Sequence, residues 1–280
     1  MHRLLLHNDE VEDAAKTSCS AGQVGLLNGW GVFTTIRVTD GILFAWERHW
    51  ARMQRDAGKL RVPFPASPGW MLERLECLLR ANKASNATLR IAVIRNRGGL
   101  FEGPNQTNDF DFFAFTADLT RWPASARLGL KPDARHAASE FAGTKVTSWA
   151  FNLNWYEEAH ERGFDEVVLL NERGEVSECT SANLFAVYGN EVVTPPLSSG
   201  CLPGITREIL LQDIVVPGLV VRERVLKPAD LSRADEVFLT SSTRDLMPVE
   251  FVETLEVGRK TAVGKALLEA FVNYRANYRP

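Results

Sequence analysis

Cysteine is scarce in this chain, and its placement excludes two classes of protein. The four cysteines in 280 residues (Cys19, Cys77, Cys179, Cys201) have neither the CxxC spacing of a zinc site nor the regular spacing of a disulfide framework, which fits a reducing cytoplasm. Histidine is nearly as sparse. The five present make no HxH or HExxH pattern, so no metal site is expected. Charge is almost balanced, with a formal net of -3 and no run of Lys or Arg, which leaves no electrostatic case for a nucleic-acid partner. Long hydrophobic runs are missing too. The longest are strand-sized, far short of the ~20 residues that cross a bilayer, so no membrane span is expected. The stretch from Met1 to Ala15 has a three-leucine core followed by acids, unlike a signal peptide. No period of ~20–50 residues recurs, which excludes a solenoid or propeller.

What is present is an ordinary globular composition, 45% hydrophobic and 24% charged, in a chain long enough for one large domain or two modest ones. Residues 32–38, Val-Phe-Thr-Thr-Ile-Arg-Val, are rich in β-branched and aromatic types and read as a strand. Thr39-Asp40-Gly41 signals a tight turn, and residues 42–45 return as a second strand. A helix is expected from about Trp46 to Leu60, with Trp46, Trp50, Met53, Ala57 and Leu60 along one face, and another over roughly 68–84. Strands follow at 88–94 and 110–115. Residues 118–127, Asp-Leu-Thr-Arg-Trp-Pro-Ala-Ser-Ala-Arg, break the pattern and read as an interdomain linker. It would divide a small N-terminal α/β domain (1–117) from a large C-terminal domain (128–280) carrying Lys145. Beyond it a helix is expected near 152–162, with strands at 166–170, 184–188 and 191–194. The last two would be joined by a Gly189-Asn190 hairpin turn. A helix from 204–205, strands near Val220, Glu236 and Val249, and a helix from about Ala262 complete the reading. The fold class is α/β, an α+β arrangement in two domains, whose cleft is a natural place for a small molecule.

Several side chains stand where chemistry is possible, each with a plainer alternative. Arg52 falls on the helix from Trp46, one turn from His49 and Asp56; it is either an inward anion ligand or a snorkelling surface residue. Lys145, in Ala-Gly-Thr-Lys-Val-Thr-Ser, has small neighbours and no helix signal. Desolvation there would favour a neutral, nucleophilic amine, and the alternative is a solvated cation. Glu178 precedes Cys-Thr-Ser-Ala-Asn-Leu-Phe and is either a carboxylate at a strand end or an exposed turn residue. The loop 194–207 ends in Gly204-Ile205-Thr206-Arg207, where free helix amides and a hydroxyl make an anion site or Thr206 merely caps a helix. Thr240-Ser241-Ser242-Thr243 either lines a phosphate or makes a turn.

In order and spacing, Gly31-Val-Phe-Thr-Thr-Ile-Arg37, His49-Trp-Ala-Arg52, Lys145, Glu178-Cys-Thr-Ser-Ala-Asn183-Leu-Phe185 and Leu202-Pro-Gly-Ile-Thr-Arg207 resemble the class IV aminotransferases, over about 4–248. That family, of pyridoxal-5′-phosphate (PLP) fold type IV with a D-amino-acid-aminotransferase-like architecture, includes branched-chain and D-amino-acid aminotransferases, (R)-amine transaminases and aminodeoxychorismate lyase. The resemblance implies PLP bound to Lys145 as a Schiff base, with Lys145 also transferring the substrate proton. It places Glu178 at the pyridine nitrogen, supported by Arg135. Arg52, the Ile205 and Thr206 amides, the Thr206 hydroxyl and Ser241 or Ser242 would hold the phosphate, and Leu202 would pack on the ring. It further implies a homodimer, an active site between the domains, and exchange of an amino group between an amino acid or amine and a keto acid. The alternative reaction is elimination of pyruvate from aminodeoxychorismate to give 4-aminobenzoate.

The subfamily is less sharply marked. Thr35 and the Glu178–Phe185 run resemble the lyases, with Thr35 a catalytic candidate. The loop Arg97-Gly-Gly-Leu-Phe101-Glu102 and the Lys-Val-Thr-Ser segment depart from them. Asn28 and Phe33 stand where branched-chain and D-amino-acid enzymes, respectively, carry tyrosine. With Leu100 and Glu102 in place of a carboxylate trap, substrate contact is expected from Phe33, Arg37, Arg95 or Arg97, each arginine also readable as a structural salt bridge. A non-catalytic PLP-fold binding protein is a third reading; retention of Lys145, Glu178 and Arg52 together argues against it.

Overall fold

The computed structural model describes residues 1–100, 102–103 and 108–279. Chain contacts divide it into one unit of Met1–Thr120 with Thr144–Trp149, and a second of Arg121–Gly143 with Ala150–Arg279.

Alternation of apolar and polar residues builds the first unit. Strands β1 (Leu4–His7) and β2 (Glu10–Asp13) form a hairpin, followed by the short helix α1 (Val24–Asn28). Strand β3 (Gly31–Thr39) turns at Asp40-Gly41 into β4 (Ile42–Leu43). Both turn residues have positive φ, 50° and 80°, the conformation that Asp-Gly supplies to a tight hairpin. Helices α2 (Trp46–Lys59) and α3 (Pro68–Asn82) precede β5 (Ala87–Arg95) and β6 (Phe110–Ala117). The strands pair entirely antiparallel in the order β2-β1-β6-β5-β3-β4. One face is covered by the helices: Val32, Ile36, Val38, Leu89, Ile91 and Phe112 pack with Trp46, Trp50, Met53, Met71 and Leu75. Ser67 caps α3 by accepting from the Trp70 amide (3.2 Å), with Pro68 at the first helical position, where its missing N–H costs nothing.

The segment around Lys145 belongs to this unit, not to the C-terminal part where the linear reading put it. The cause is backbone pairing. Phe33 N–H donates to Lys145 O (3.1 Å), Thr147 N–H donates to Gly31 O (3.0 Å), and Val32 bridges Val146. The 145–147 stretch thereby occupies the β3 edge that the two-residue β4 leaves open. The expected linker is also shorter than 118–127, because a strand already begins at Ala126.

In the second unit, β7 (Ala126–Arg135) is followed by α4 (Ala150–Glu161), β8 (Glu166–Asn171), β9 (Val176–Cys179), β10 (Asn183–Tyr188) and β11 (Glu191–Thr194). Helix α5 (Ile205–Gln212), β12 (Val220–Glu223), α6 (Pro228–Leu231), β13 (Glu236–Ser241), β14 (Asp245–Val252) and α7 (Ala262–Ala276) complete it. The sheet order is β12-β11-β10-β13-β14-β7-β8-β9, parallel at β11/β12, β14/β7 and β7/β8 and antiparallel elsewhere. Its inner strands, such as the fully buried Glu166–Asn171, are near-continuous apolar runs, as strands covered on both faces must be. Among the described residues no helix is long and apolar enough to cross a membrane.

Candidate active site

Helix α2 gathers the first set of polar groups. Its 3.6-residue period sets His49, Arg52 and Asp56 on the buried side, and Arg52 is only 6% exposed. Burial that deep excludes the snorkelling arginine. The Arg52 Nη2 donates to Thr34 Oγ1 (2.9 Å), and that hydroxyl lies 2.6 Å from His49 Nδ1. Burial, then the nearby cations Arg52 and Lys145, hold the His49 pKa well below its ordinary value, so the imidazole is neutral. One turn on, the buried Asp56 Oδ2 accepts the Lys145 amide proton (3.0 Å), while Oδ1 accepts from Arg55 Nη2 (2.6 Å). Lys145 is thus fixed through its N–H by α2 and through its carbonyl by β3. The Lys145 Nζ lies 4.5 Å from the centroid of the Phe33 ring, a cation–π distance.

Strand alternation sends Thr34 toward α2 and Phe33, Thr35 and Arg37 to the opposite face. Directly across from Thr35 in register is Arg90 of β5. Its guanidinium sits 4.1 Å over Phe33 and 5.8 Å from Trp149, which meets Phe33 edge-on at 6.0 Å. Burial lowers the Arg90 pKa from its ordinary value, yet an arginine remains a cation.

In the second unit, Glu178 on β9 is 8% exposed, which excludes the exposed turn residue. Its Oε1 accepts from Arg135 Nε (3.0 Å) and its Oε2 from the Leu202 amide (2.9 Å). Arg135 is itself held by Asn152 Oδ1 (3.2 Å). At the start of α5, Gly204 is the N-cap, and Ile205 and Thr206 are buried with first-turn amides that lack intrahelical acceptors. Only glycine fits at 204: an added Cβ would stand 2.0 Å from Asn183 Oδ1, and Asn183 is engaged through Nδ2 with Leu202 O (2.8 Å). Ser241 Oγ accepts from the Arg244 amide (3.1 Å). The buried Thr240 Oγ1 has no hydrogen-bond partner among the described residues. The Arg244 side chain stacks 4.0 Å over Trp122 and reaches Ser181 Oγ (2.8 Å) and buried Glu166 (3.3 Å). Glu166 also accepts the Thr180 and Ser181 hydroxyls. The turn after Glu178 is therefore tied to the 241–244 turn.

A family model, amino-transferase class IV, matches residues 31–252. The chain belongs to the class IV aminotransferases. It is 29% identical over 266 residues to the branched-chain-amino-acid aminotransferase of Salmonella typhimurium, covering 87% of this chain and 83% of that one. It is 26% identical over 272 residues to the D-alanine aminotransferase of Bacillus licheniformis, covering 91% and 90%. Among solved structures, a T.th. branched-chain amino acid aminotransferase with pyridoxamine 5′-phosphate superposes with a TM-score of 0.89, covering 100% of this chain and 96% of that one at 24% identity. That likeness shows the PLP type IV fold.

Within this class IV aminotransferase, the arginines expected to meet substrate part company. Arg95 is committed to structure: its Nη1 donates to Arg61 O and its Nε to Arg97 O (both 2.6 Å), over the Trp30 ring. Arg97 is half-exposed and lies 3.5 Å from Glu102 and 3.7 Å from Asp109. Arg37 shares the Phe33 and Thr35 face of β3. Phe101, in the loop compared with the lyases, lies outside the described residues. Sequence reasoning missed Arg90 and Trp149. A trace of Arg90 was available, as an arginine inside the otherwise apolar strand Leu89-Arg90-Ile-Ala-Val-Ile; its pairing with Thr35 was not. Among the described residues no cluster of His, Cys, Asp or Glu is arranged to hold a metal ion.

Proposed function

We propose that this enzyme transfers an amino group between an amino acid or amine and a keto acid, with Lys145 as the covalent anchor of PLP. The observation that carries the reading is the double backbone fixation of Lys145, N–H to Asp56 and C=O to Phe33, which delivers an amine beside the Phe33–Arg90 pair. The donor set fits the cofactor. Arg52 suits a phosphate dianion by its two-pronged fork, and the α5 first-turn amides, the Thr206 hydroxyl, Ser241 or Ser242 and the unpartnered Thr240 Oγ1 suit one by their donors. Glu178 suits a protonated ring nitrogen.

When bound, PLP acts as the electron sink for cleavage at the substrate Cα. The chain's own residues do the rest. Lys145 Nζ, freed by the incoming amine, takes the Cα proton and returns it. Glu178, each oxygen already holding one donor, keeps a proton at the ring nitrogen through its remaining lone pairs. Leu202, whose amide donates to Glu178, would pack beside the ring. Thr35 is a candidate for orienting the water or carboxyl group at the reacting carbon. Arg90, stacked on two aromatic rings, receives the substrate carboxylate in place of Arg95 or Arg97; Phe33 and Arg37 line the same face. The exposed Phe151 and Leu153 side chains on α4 support a homodimer, and the four free thiols support a cytoplasmic setting.

The test is a half-reaction screen of the PLP-loaded enzyme with single L- and D-amino acids and amines. Pyruvate release from aminodeoxychorismate is measured alongside it. Loss of the visible absorbance of lysine-bound PLP, with pyridoxamine phosphate formed, establishes the transaminase and its donor. Pyruvate release with that absorbance retained makes the enzyme a lyase. Wild-type turnover in a Lys145→Ala variant would sink the mechanism.

A further inference from the structure

The Thr34–His49–Arg52 chain of contacts is not explained by packing. Arg52 can only donate, so its bond to Thr34 Oγ1 makes that oxygen an acceptor. Thr34 is fully buried, and its own proton needs an acceptor. His49 Nδ1, at 2.6 Å, is the partner for it. A protonated imidazole, or the tautomer with hydrogen on Nδ1, would leave the Thr34 proton stranded. The satisfied arrangement is therefore directional: Arg52 donates to Thr34, Thr34 donates to His49, and the imidazole hydrogen sits on Nε2. Burial and the cations Arg52 and Lys145 keep the ring in this accepting form.

The fold itself gains little from the imidazole. His49 Nε2 is buried without a hydrogen-bond partner among the described residues, an arrangement that costs stability. What the chain of bonds does fix is the plane of the guanidinium. An arginine grips a phosphate with a flat two-pronged fork, so the rotation of that plane decides how well it binds. Thr34 accepts one Nη2 hydrogen, which constrains the rotation of that plane.

We propose that Thr34 and His49 are positioning residues for the phosphate grip, acting through Arg52. The proposal rests on the reading of Arg52 as a phosphate ligand given above.

The test compares equilibrium binding of PLP and of pyridoxal, which lacks the phosphate, to enzyme dialysed free of cofactor. The ratio of the two affinities isolates the phosphate grip from the lysine linkage and from general damage to the fold. In Thr34→Val and His49→Phe this ratio falls by about tenfold, the value of one hydrogen bond to a charged group. Thr34→Ser, which keeps the hydroxyl, stays within about twofold of wild type. If Thr34→Val does not fold, His49→Phe reads the same relay from its other end. A ratio unchanged in both variants, while Arg52→Ala lowers it, overturns the relay and leaves the Arg52 reading standing. An unchanged ratio in Arg52→Ala removes the Arg52 reading and the relay with it.

Discussion

Replacing Asp56 with alanine would cut the tie between α2 and the Lys145 backbone. The bond lost is a peptide N–H to a buried carboxylate at 3.0 Å, a charge-assisted interaction worth about 1.5–3 kcal/mol. The Arg55 partner adds little, because its side chain is 42% exposed and pairs at such sites contribute at most about 1 kcal/mol. The Ala variant is therefore expected to lose about 2–3 kcal/mol, and Asp56→Asn about 1 kcal/mol, since an amide oxygen still accepts from Lys145. Urea unfolding followed by tryptophan fluorescence reads this change, with Trp46 and Trp50 on the same helix as reporters. The functional loss should exceed what stability alone produces. On the proposed role of Lys145, its displacement misaligns the proton transfer, and misplacement by ~1 Å can cost about 100-fold in rate. The amino-donor half-reaction of the Ala variant is expected to slow on that scale. A destabilisation under about 0.5 kcal/mol, below the range for a lost bond of this kind, would refute the clamp. So would a wild-type half-reaction rate.

Other outcomes are equally definite. Because His49 is neutral when folded, the unfolded chain alone takes up a proton as pH drops below the ordinary 6.5. Stability should fall toward acid by up to about 1.4 kcal/mol per pH unit; a slope that persists in His49→Gln would assign the effect to other groups. Gly204→Ala should drive a Cβ into the Asn183 amide, costing about 1–3 kcal/mol and releasing PLP faster on dialysis; wild-type retention would show that the α5 terminus does not hold the phosphate. Arg90→Leu should raise KM for amino-acid donors by about 10–100-fold relative to donors lacking a carboxylate. Equal increases for both donor types would place carboxylate recognition elsewhere.

Legibility in the sequence followed the range of the interactions. Helix α2, its apolar stripe and the β3–β4 turn are local patterns, and Trp46, Trp50, Met53 and Ala57 do line its buried face. The β10–β11 hairpin at Gly189-Asn190 was readable for the same reason. The class IV motifs gave the family, which its model then matched. Strands of four residues, such as Leu4–His7 and Val176–Cys179, are too short for alternation to register. Strand β7 carries a glycine and a proline that interrupt its apolar pattern, so no strand is legible there. Nothing local distinguishes a buried Arg52 from a snorkelling one; only packing decides that. Nor could the pattern around Lys145 announce that its backbone partner lies more than a hundred residues earlier.

That distant pairing has a consequence for how the molecule can be made. The β3 edge completed by 145–147 stays bare until the chain has been synthesised well past the end of β6. An unpaired edge of this kind is a template for another chain, and contacts so far apart in sequence form late. A fragment ending at Thr120 would carry every strand of the first sheet and still expose this edge. The same segment that carries Lys145 thus also acts as the closing strip of the N-terminal fold, so the Lys145 amine is not fixed in position before that fold is sealed.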